Sequence, residues 1–268
     1  MDSEKLLVQL SANGHKILHN SNLDADIVII NTCGFILDAK TESIDTILQY
    51  VDAKEKGLIR KVFVMGCLSQ RYKKSLQEEI PNIDEIFGVT DLKDILSSIS
   101  GIYYENKLHQ RILTTPNHYA YLKISEGCNR NCSFCAIPLI RGKQTSSKME
   151  DLVKEANYLT EQGVKELILI AQDLTSYGTD VYGKRTLPDL LERLVRIESL
   201  EWIRLHYTYP SGFPLNELIN LMKTNPKICH YLDIPIQHVN DKILKDMKRG
   251  HGKREIMEYV APEGPVYQ

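Results

Sequence analysis

Residues 119–135 read Tyr-Ala-Tyr-Leu-Lys-Ile-Ser-Glu-Gly-Cys-Asn-Arg-Asn-Cys-Ser-Phe-Cys, a strand-forming segment that leads directly into three closely spaced cysteines. The residues from Tyr119 to Ser125 are mostly aromatic and apolar, which favours a β-strand. Cys128, Cys132 and Cys135 can turn their sulfurs toward a common site only if the backbone between them forms a loop. The stretch therefore predicts a loop of thiolate ligands at the carboxyl end of a strand.

Several kinds of thiol site have to be compared for this loop. A structural zinc site needs a fourth cysteine or histidine, for which Cys229 and His118 are the only plausible suppliers. A redox disulfide needs only a Cys-x-x-Cys pair and leaves the third thiol unused. Thiolates also bind copper(I) and iron–sulfur clusters, and three thiolates hold a [4Fe–4S] cluster while one iron stays open to a non-protein ligand. We favour the iron–sulfur cluster and keep zinc as the alternative.

The composition is that of a folded protein with a substantial core. The chain has 268 residues, 43% of them hydrophobic, and this length allows one large domain or two ordinary ones. A net charge of −2 and an isoelectric point near 6.5 give no strong nucleic-acid signature. Three clustered and three scattered cysteines predict ligands, not disulfides, and hence a cytoplasmic location. We expect neither a membrane span nor a signal peptide, because the apolar runs are of strand length and the first residues are polar.

Residues 1–100 predict an N-terminal α/β domain with a doubly wound parallel sheet. The apolar runs at 26–31 and 61–65 are typical of strands buried on both faces, and helical apolar faces alternate with them. The chain opens inside a helix, so we expect the first strand to be missing. Cys33 follows one strand and Cys67 the next, which places both where open α/β sheets bind ligands. Either cysteine alone would be interpreted as a small buried hydrophobe, but their matched placement beside glycines favours a shared metal site.

Residues 101–117 predict a linker, and residues 118–260 predict a partial (β/α) barrel of about four βα units. Strands are expected at 119–125, 165–171, 202–207 and 231–236, alternating with apolar helical faces. Such barrels bind ligands at the carboxyl tips of their strands. For Gln172 and Asp173 the sequence leaves open whether they bind a cofactor or cap the following turn, and His206 and His238 are expected to orient their neighbours. The polar residues expected at the tips are Cys128, Gln172, Asp173, Tyr177, His206, Tyr207, Asp233, Gln237 and His238.

The cysteine loop resembles the signature of the radical S-adenosylmethionine (SAM) enzymes. Cys128-x-x-x-Cys132-x-x-Cys135, with Phe134 before the last cysteine, matches the motif in which three thiolates hold a [4Fe–4S] cluster and the open iron chelates SAM. More narrowly, the chain is similar to the methylthiotransferases over essentially residues 1–250. The matching segments are 119–128, 141–142, 172–178, 204–210 and 232–238, together with Asn31-Thr-Cys-Gly-Phe35 and Gly66-Cys67.

Within that family the chain looks like the branch that methylthiolates an aspartate of small-subunit ribosomal protein twelve. The sister branch, which modifies a hypermodified adenosine in transfer RNA, usually has Gln-Asn where this chain has Gln172-Asp173, and it is kept as an alternative. The resemblance implies that reductive cleavage of SAM gives a deoxyadenosyl radical, which abstracts hydrogen from the aspartate β-carbon. It also implies sulfur from a second [4Fe–4S] cluster at Cys33 and Cys67, and a reductant partner such as flavodoxin or ferredoxin. The cofactor-binding residues implied are Gln172, Asp173, Arg204, Tyr207, Asp233 and Gln237.

The chain departs from the family pattern at both ends. Family members carry a third cysteine for the second cluster in a Gly-Cys segment just before the Asp2-Ser-Glu4 stretch, so the second cluster site is expected to be incomplete here. The family barrel continues with further strands and a small TRAM domain, a piece of which residues 261–268 resemble. We therefore expect a chain truncated at both ends, with an unpaired sheet edge that favours association. An inactive cluster-binding fragment is a further alternative.

Overall fold

The computed structural model describes residues 1–19, 25–89 and 91–260, so the predicted 261–268 tail lies outside the described residues. The chain divides into two compact units, Met1–Ile112 and Leu113–Gln268, and this division falls inside the 101–117 segment. Part of that segment packs on the first helix. Gln9 Nε2 donates a hydrogen bond to Tyr104 O at 3.0 Å, and Asn13 Nδ2 donates one to Ile102 O at 2.8 Å.

The first unit is a three-stranded parallel sheet with helices on both faces. Alternate residues of its middle strand face opposite sides: Val62 and Val64 belong to one apolar cluster, and Phe63 and Met65 belong to the other. The predicted doubly wound sheet is confirmed. The sheet order is β1-β2-β3, and the elements are α1 (Asp2–Ala12), β1 (Ile27–Thr32), α2 (Leu37–Glu55), β2 (Lys61–Gly66), α3 (Cys67–Glu79), β3 (Glu85–Ile86) and α4 (Leu92–Ser98).

The second unit is built on a four-stranded parallel sheet. Its strand order is β4-β7-β8-β9, while β5 and β6 form a separate antiparallel ribbon. A helix follows each strand of the sheet, so the predicted four βα units are confirmed. The elements are β4 (Tyr119–Lys123), β5 (Ser125–Glu126), α5 (Ile137–Arg141), β6 (Thr145–Ser146), α6 (Met149–Glu161), β7 (Glu166–Ile170), α7 (Leu187–Leu194), β8 (Trp202–Leu205), α8 (Leu215–Thr224), β9 (Ile228–Leu232), α9 (Asp241–Asp246) and α10 (Lys253–Val260).

One face of this sheet carries the core of the second unit. Every second residue of β4, β7 and β8, such as Leu122, Leu169 and Leu205, is buried with the leucines of α6, α7 and α8. The residues between them lie on the opposite face, where Tyr121 is 36% exposed. Burial of one face by the helices stabilises the unit through the hydrophobic effect. Within the described residues, no helix combines the length and the apolar character needed to cross a membrane.

Three strands predicted from the sequence had wrong boundaries. Strand β4 ends at Lys123, two residues early, and Ser125 belongs to the ribbon. Strand β8 ends at Leu205, two residues early, because Tyr207 has a φ of +66°, which an extended strand does not allow. Strand β9 spans Ile228–Leu232 and not 231–236, since Pro235 has no N–H to donate to a strand ladder. Cys229, which the sequence placed before this strand, is therefore its second residue.

Candidate cluster and cofactor site

The cysteine loop is closed by a short ribbon at the carboxyl edge of the sheet. Strands β5 and β6 pair through Ser125 with Ser146, so the residues between them form a closed loop. Cys128 N donates to Gly142 O at 3.1 Å across its base. Gly127 has a φ of +77°, and a β-carbon there would lie 2.7 Å from Gly142 O and closer still to Lys143 O. Only glycine allows the two sides of the loop to approach this closely.

The three thiols of the loop are all half-buried. Arg130 N donates to Cys128 Sγ at 3.4 Å, and Cys135 N donates to Cys132 O at 3.1 Å, so the backbone wraps around the thiols. Burial raises the pKa of the Cys128 thiol, and the Arg130 N–H opposes that shift. The thiol must release its proton when it binds a metal. Three thiolates on one loop are a donor set that fits an iron–sulfur cluster.

The geometry places neither candidate fourth ligand for zinc beside the cysteine loop. In the described part of the chain, no three Cys, His, Asp or Glu side chains are close enough to hold a single metal ion. The thiolates of a four-iron cluster bind different irons and need not meet at one atom. His118 and Cys229 lie at the amino ends of β4 and β9, whereas the loop lies at the carboxyl edge, roughly 16 Å away along a five-residue strand. Neither residue can supply a fourth ligand to the loop.

Glu126, beside the cysteines, is a carboxylate that the sequence analysis did not select. Its Oε2 accepts hydrogen bonds from Lys123 Nζ at 2.6 Å and from Arg141 Nη1 at 3.0 Å. Its Oε1 accepts from Gln172 Nε2 at 2.8 Å. The other amide atom, Gln172 Oε1, is buried and has no hydrogen-bond partner among the described residues. Glu126 thus joins the tips of β4 and β7 and orients Gln172.

Asp173 is tied to the cysteine loop. Its side chain is almost fully buried, and Oδ2 accepts from Arg130 Nε at 2.9 Å and from Ser176 Oγ at 2.7 Å. Arg130 lies between the first two cysteines, so this ion pair fixes the loop relative to β7. The second oxygen, Oδ1, is buried without a partner in the described ranges. Asp173 is therefore joined to the turn after β7 through the Ser176 hydroxyl, makes no side-chain hydrogen bond to the backbone of that turn, and keeps one acceptor unused.

The tips of β8 and β9 are joined through Asp233. Its Oδ2 accepts from Tyr207 N at 3.2 Å, and its carbonyl oxygen accepts from Thr208 N at 3.0 Å. Tyr207 and Gln237 have φ values of +66° and +68°, which are unusual for residues other than glycine. Strained backbone of this kind is concentrated at binding sites. The structure brings Tyr207 and Asp233 together and places an exposed Gln237 on the loop after β9.

Two residues are engaged elsewhere: Arg204, which the resemblance implied as a cofactor-binding residue, and Tyr177, which was expected at a strand tip. Arg204 Nε is 2.6 Å from Glu166 Oε1, and its guanidinium lies over the ring of Tyr231 at 5.3 Å. Glu166 begins β7, so Arg204 is directed toward the amino half of the sheet and away from the tips, which is not the orientation expected of a cofactor ligand. Tyr177 is fully buried and donates to Ser147 O at 2.9 Å, a structural role.

In the first unit, the loops that carry Cys33 and Cys67 lie against each other. A β-carbon on Gly34 would be 2.8 Å from Leu68 Cα, so the residue after one cysteine touches the residue after the other. Cys33 is exposed, and Cys67 is half-buried at the first position of α3. These are the only cysteines of that unit in the sequence. Two thiolates are fewer than the four ligands that an iron–sulfur cluster normally takes.

Comparison with known families defines the class of protein. Residues 122–261, which are 140 of the 268 residues, match the Radical SAM superfamily, and residues 1–88 match the Uncharacterized protein family UPF0004. The chain belongs to the Radical SAM superfamily. The class predicted from the cysteine spacing is therefore confirmed.

Curated relatives narrow the resemblance further. The chain is 59% identical over 249 residues to the ribosomal protein uS12 methylthiotransferase RimO of Flavobacterium psychrophilum, covering 93% of this chain and 57% of that protein. It is 52% identical over 260 residues to the protein of the same name from Chlorobaculum tepidum, covering 97% and 59%. The chain thus spans less than two thirds of the length of these relatives. The predicted resemblance to the ribosomal-protein branch of the methylthiotransferases is confirmed.

Solved structures agree on the fold. The radical SAM methyltransferase TsrM from Kitasatospora setae, with tryptophan and a SAM analogue bound, has a TM-score of 0.61 at 12% identity, covering 94% of this chain and 55% of that one. The cobalamin-dependent radical SAM enzyme OxsB has a TM-score of 0.58 at 12% identity, covering 87% and 38%. At this identity the likeness shows the fold alone.

Proposed function

We propose that this chain is the cluster-binding and SAM-binding part of a methylthiotransferase that modifies an aspartate of ribosomal protein uS12. The observation that carries the proposal is the three-cysteine loop at the carboxyl edge of a four-unit β/α sheet. Family membership supports the class of chemistry. The 59% identity to a uS12 methylthiotransferase supports the substrate.

The residues of the loop have separate roles in this proposal. Cys128, Cys132 and Cys135 hold a [4Fe–4S] cluster, which when bound supplies the electron that cleaves SAM. Arg130 and Asp173 lock the loop against β7 through their ion pair of 2.9 Å. The half-buried position of the thiols limits the access of bulk water, which protects a reactive site from side reactions.

The strand tips next to the loop supply the contacts for SAM. Gln172 and Asp173 each present a buried acceptor atom at the tip of β7, and such atoms complement the ammonium and hydroxyl donors of SAM. Tyr207, Asp233 and Gln237 lie at the neighbouring tips and extend the same polar surface. Arg204 is assigned to the sheet through its ion pair with Glu166 and not to SAM.

Partners and location follow from the same chemistry. The name of the relatives supports uS12 as the protein substrate. Reduction of the cluster requires a one-electron donor, for which a flavodoxin or ferredoxin is proposed. Thiolate ligands and an oxygen-sensitive cluster fit a reducing cytoplasm.

The test is anaerobic reconstitution of the full chain with iron and sulfide, followed by incubation with SAM, dithionite and uS12. About four irons per chain from the loop, deoxyadenosine formation and a uS12 peptide heavier by one methylthio group are expected. Iron binding with SAM cleavage but no modified peptide would support the cluster-binding fragment in place of the enzyme. Stoichiometric zinc without visible absorption would refute the proposal. Cys128→Ala is the matched control for cluster-dependent signals.

A further inference from the structure

A buried arginine far from the cysteine motif in sequence reaches the cysteine loop. Arg249 lies between α9 and α10, is 5% exposed, and donates from Nη1 to Cys132 Sγ at 3.4 Å. Its Nη2 donates to Pro235 O at 2.5 Å, which fixes the plane of the guanidinium. Ser133 N donates to Met247 O at 3.1 Å, so the segment after α9 is also joined to the loop through backbone atoms.

Tyr209 connects this arginine to the one inside the loop. The guanidinium carbon of Arg249 is 4.3 Å from the centroid of the Tyr209 ring, and that of Arg130 is 3.7 Å from it. The Tyr209 hydroxyl donates to the carbonyl oxygen of Arg249. The π face of the Tyr209 ring attracts both cations. The stack holds both arginines in place.

The two arginines differ in how their charge is balanced. Arg130 is paired with the Asp173 carboxylate. Arg249 has no carboxylate partner in the part of the chain that the structure describes, and its strongest polar contacts are a carbonyl oxygen and a cysteine sulfur. A buried guanidinium that lacks a carboxylate is costly unless another negative group is close. A thiolate that binds a cluster is such a group.

We propose that Arg249 is a positioning residue for the iron–sulfur cluster, which holds the Cys132 thiolate by an N–H···S hydrogen bond and favours the reduced state of the cluster. Reduction by a one-electron donor adds one negative charge, which is spread over the irons and their sulfur ligands. A buried cation and an N–H donor stabilise that charge, so the reduction potential is higher with Arg249 than without it. The inference rests on the cluster binding of the proposed function and is independent of the substrate.

The first test compares reduction potentials in reconstituted full-length protein. Arg249→Met keeps a long apolar stem but removes the charge and the donors, and Arg249→Lys keeps the charge but loses the two-pronged fork. Arg254→Met, at an exposed position in α10, is the matched control. In a redox titration followed by electron paramagnetic resonance, we expect the midpoint potential to shift to more negative values in Arg249→Met, by less in Arg249→Lys, and not in Arg254→Met.

The second test gives its deciding result in the unaltered chain, and a variant serves only to assign the signal. Protein labelled with ¹⁵N only at the arginine guanidinium nitrogens is reduced and measured by pulsed electron paramagnetic resonance. A nitrogen hydrogen-bonded to a cluster sulfur gives a weak ¹⁵N coupling to the reduced cluster. We expect this coupling in the unaltered chain and its loss in Arg249→Lys.

The outcomes separate this inference from the proposed function. If the unaltered chain binds no cluster, the proposed function fails and the inference falls with it. If the chain binds a cluster but shows no guanidinium ¹⁵N coupling, the inference alone is refuted. An unchanged midpoint potential in Arg249→Met with full iron content would also refute it. Iron content and circular dichroism establish that each variant compared is folded and loaded.

Discussion

Replacing Gly127 with alanine should damage the cysteine loop more than the same replacement of Gly142, fifteen positions later on the opposite side of the loop. Both glycines have left-handed backbone, with φ values of +77° and +73°. They differ in their surroundings. A β-carbon at Gly127 would press against the carbonyl oxygens of Gly142 and Lys143, whereas one at Gly142 would meet nothing within 4 Å.

Comparing Gly127→Ala with Gly142→Ala separates the cost of backbone strain from the cost of steric overlap. Backbone at positive φ costs an alanine about 1–3 kcal/mol at either position; Gly142, with a ψ of −160°, lies in a region that glycine almost alone occupies. Overlap with two backbone oxygens adds about 1–3 kcal/mol at Gly127 alone, the usual range for overpacking. We therefore expect Gly142→Ala to lower the free energy of unfolding of the second unit by about 1–3 kcal/mol and Gly127→Ala by about 2–6 kcal/mol.

Trp202 makes the measurement specific to the second unit. It is the only tryptophan in the sequence and lies in β8, so urea unfolding followed by its fluorescence reports that unit. Iron content after reconstitution gives a second value, which should fall in Gly127→Ala more than in Gly142→Ala. Equal losses of stability in the two variants would show that the close approach at Gly127 is not what closes the loop.

Three further predictions concern individual side chains. Cys229→Ala should retain iron, because Cys229 is at the amino end of β9. In contrast, changing Cys128, Cys132 or Cys135 singly to alanine should abolish SAM cleavage, as measured by deoxyadenosine formation. Asp173→Asn leaves the Arg130 charge unpaired. Because Arg130 is partly exposed, the variant should destabilise the second unit by no more than about 3 kcal/mol in urea unfolding. An unchanged stability would show that the ion pair does not support the loop. Burial lowers the pKa of His251 below its usual 6.5, so the unfolded chain binds its proton more readily. Stability of the second unit should therefore fall as the pH drops below about 6.5 and level off below the folded-state pKa, and His251→Gln should flatten that part of the profile.

The sequence determined the features that depend on local spacing. Alternation of apolar runs at strand and helix periods identified two α/β units, because a strand or helix shows its buried face in a few consecutive residues. The cysteine loop was predictable for the same reason, since the three thiols lie within eight residues. Glu126 and Arg130 are charged residues beside those cysteines, and their position in the sequence could have marked them as site residues.

Only the tertiary structure decided which distant residues meet at the loop. Arg249 and Cys132 are 117 positions apart and are brought together by the packing of the segment after α9 on the loop. The resemblance implied Arg204 as a cofactor-binding residue, but the parallel pairing of β7 with β8 places Glu166 within reach of its guanidinium. Cys229 was predicted to lie before a strand and is found inside one, because strand pairing depends on the neighbouring strand and not on local composition alone. Contacts between remote segments are set by how the elements pack, and a single sequence carries no periodic signal for them.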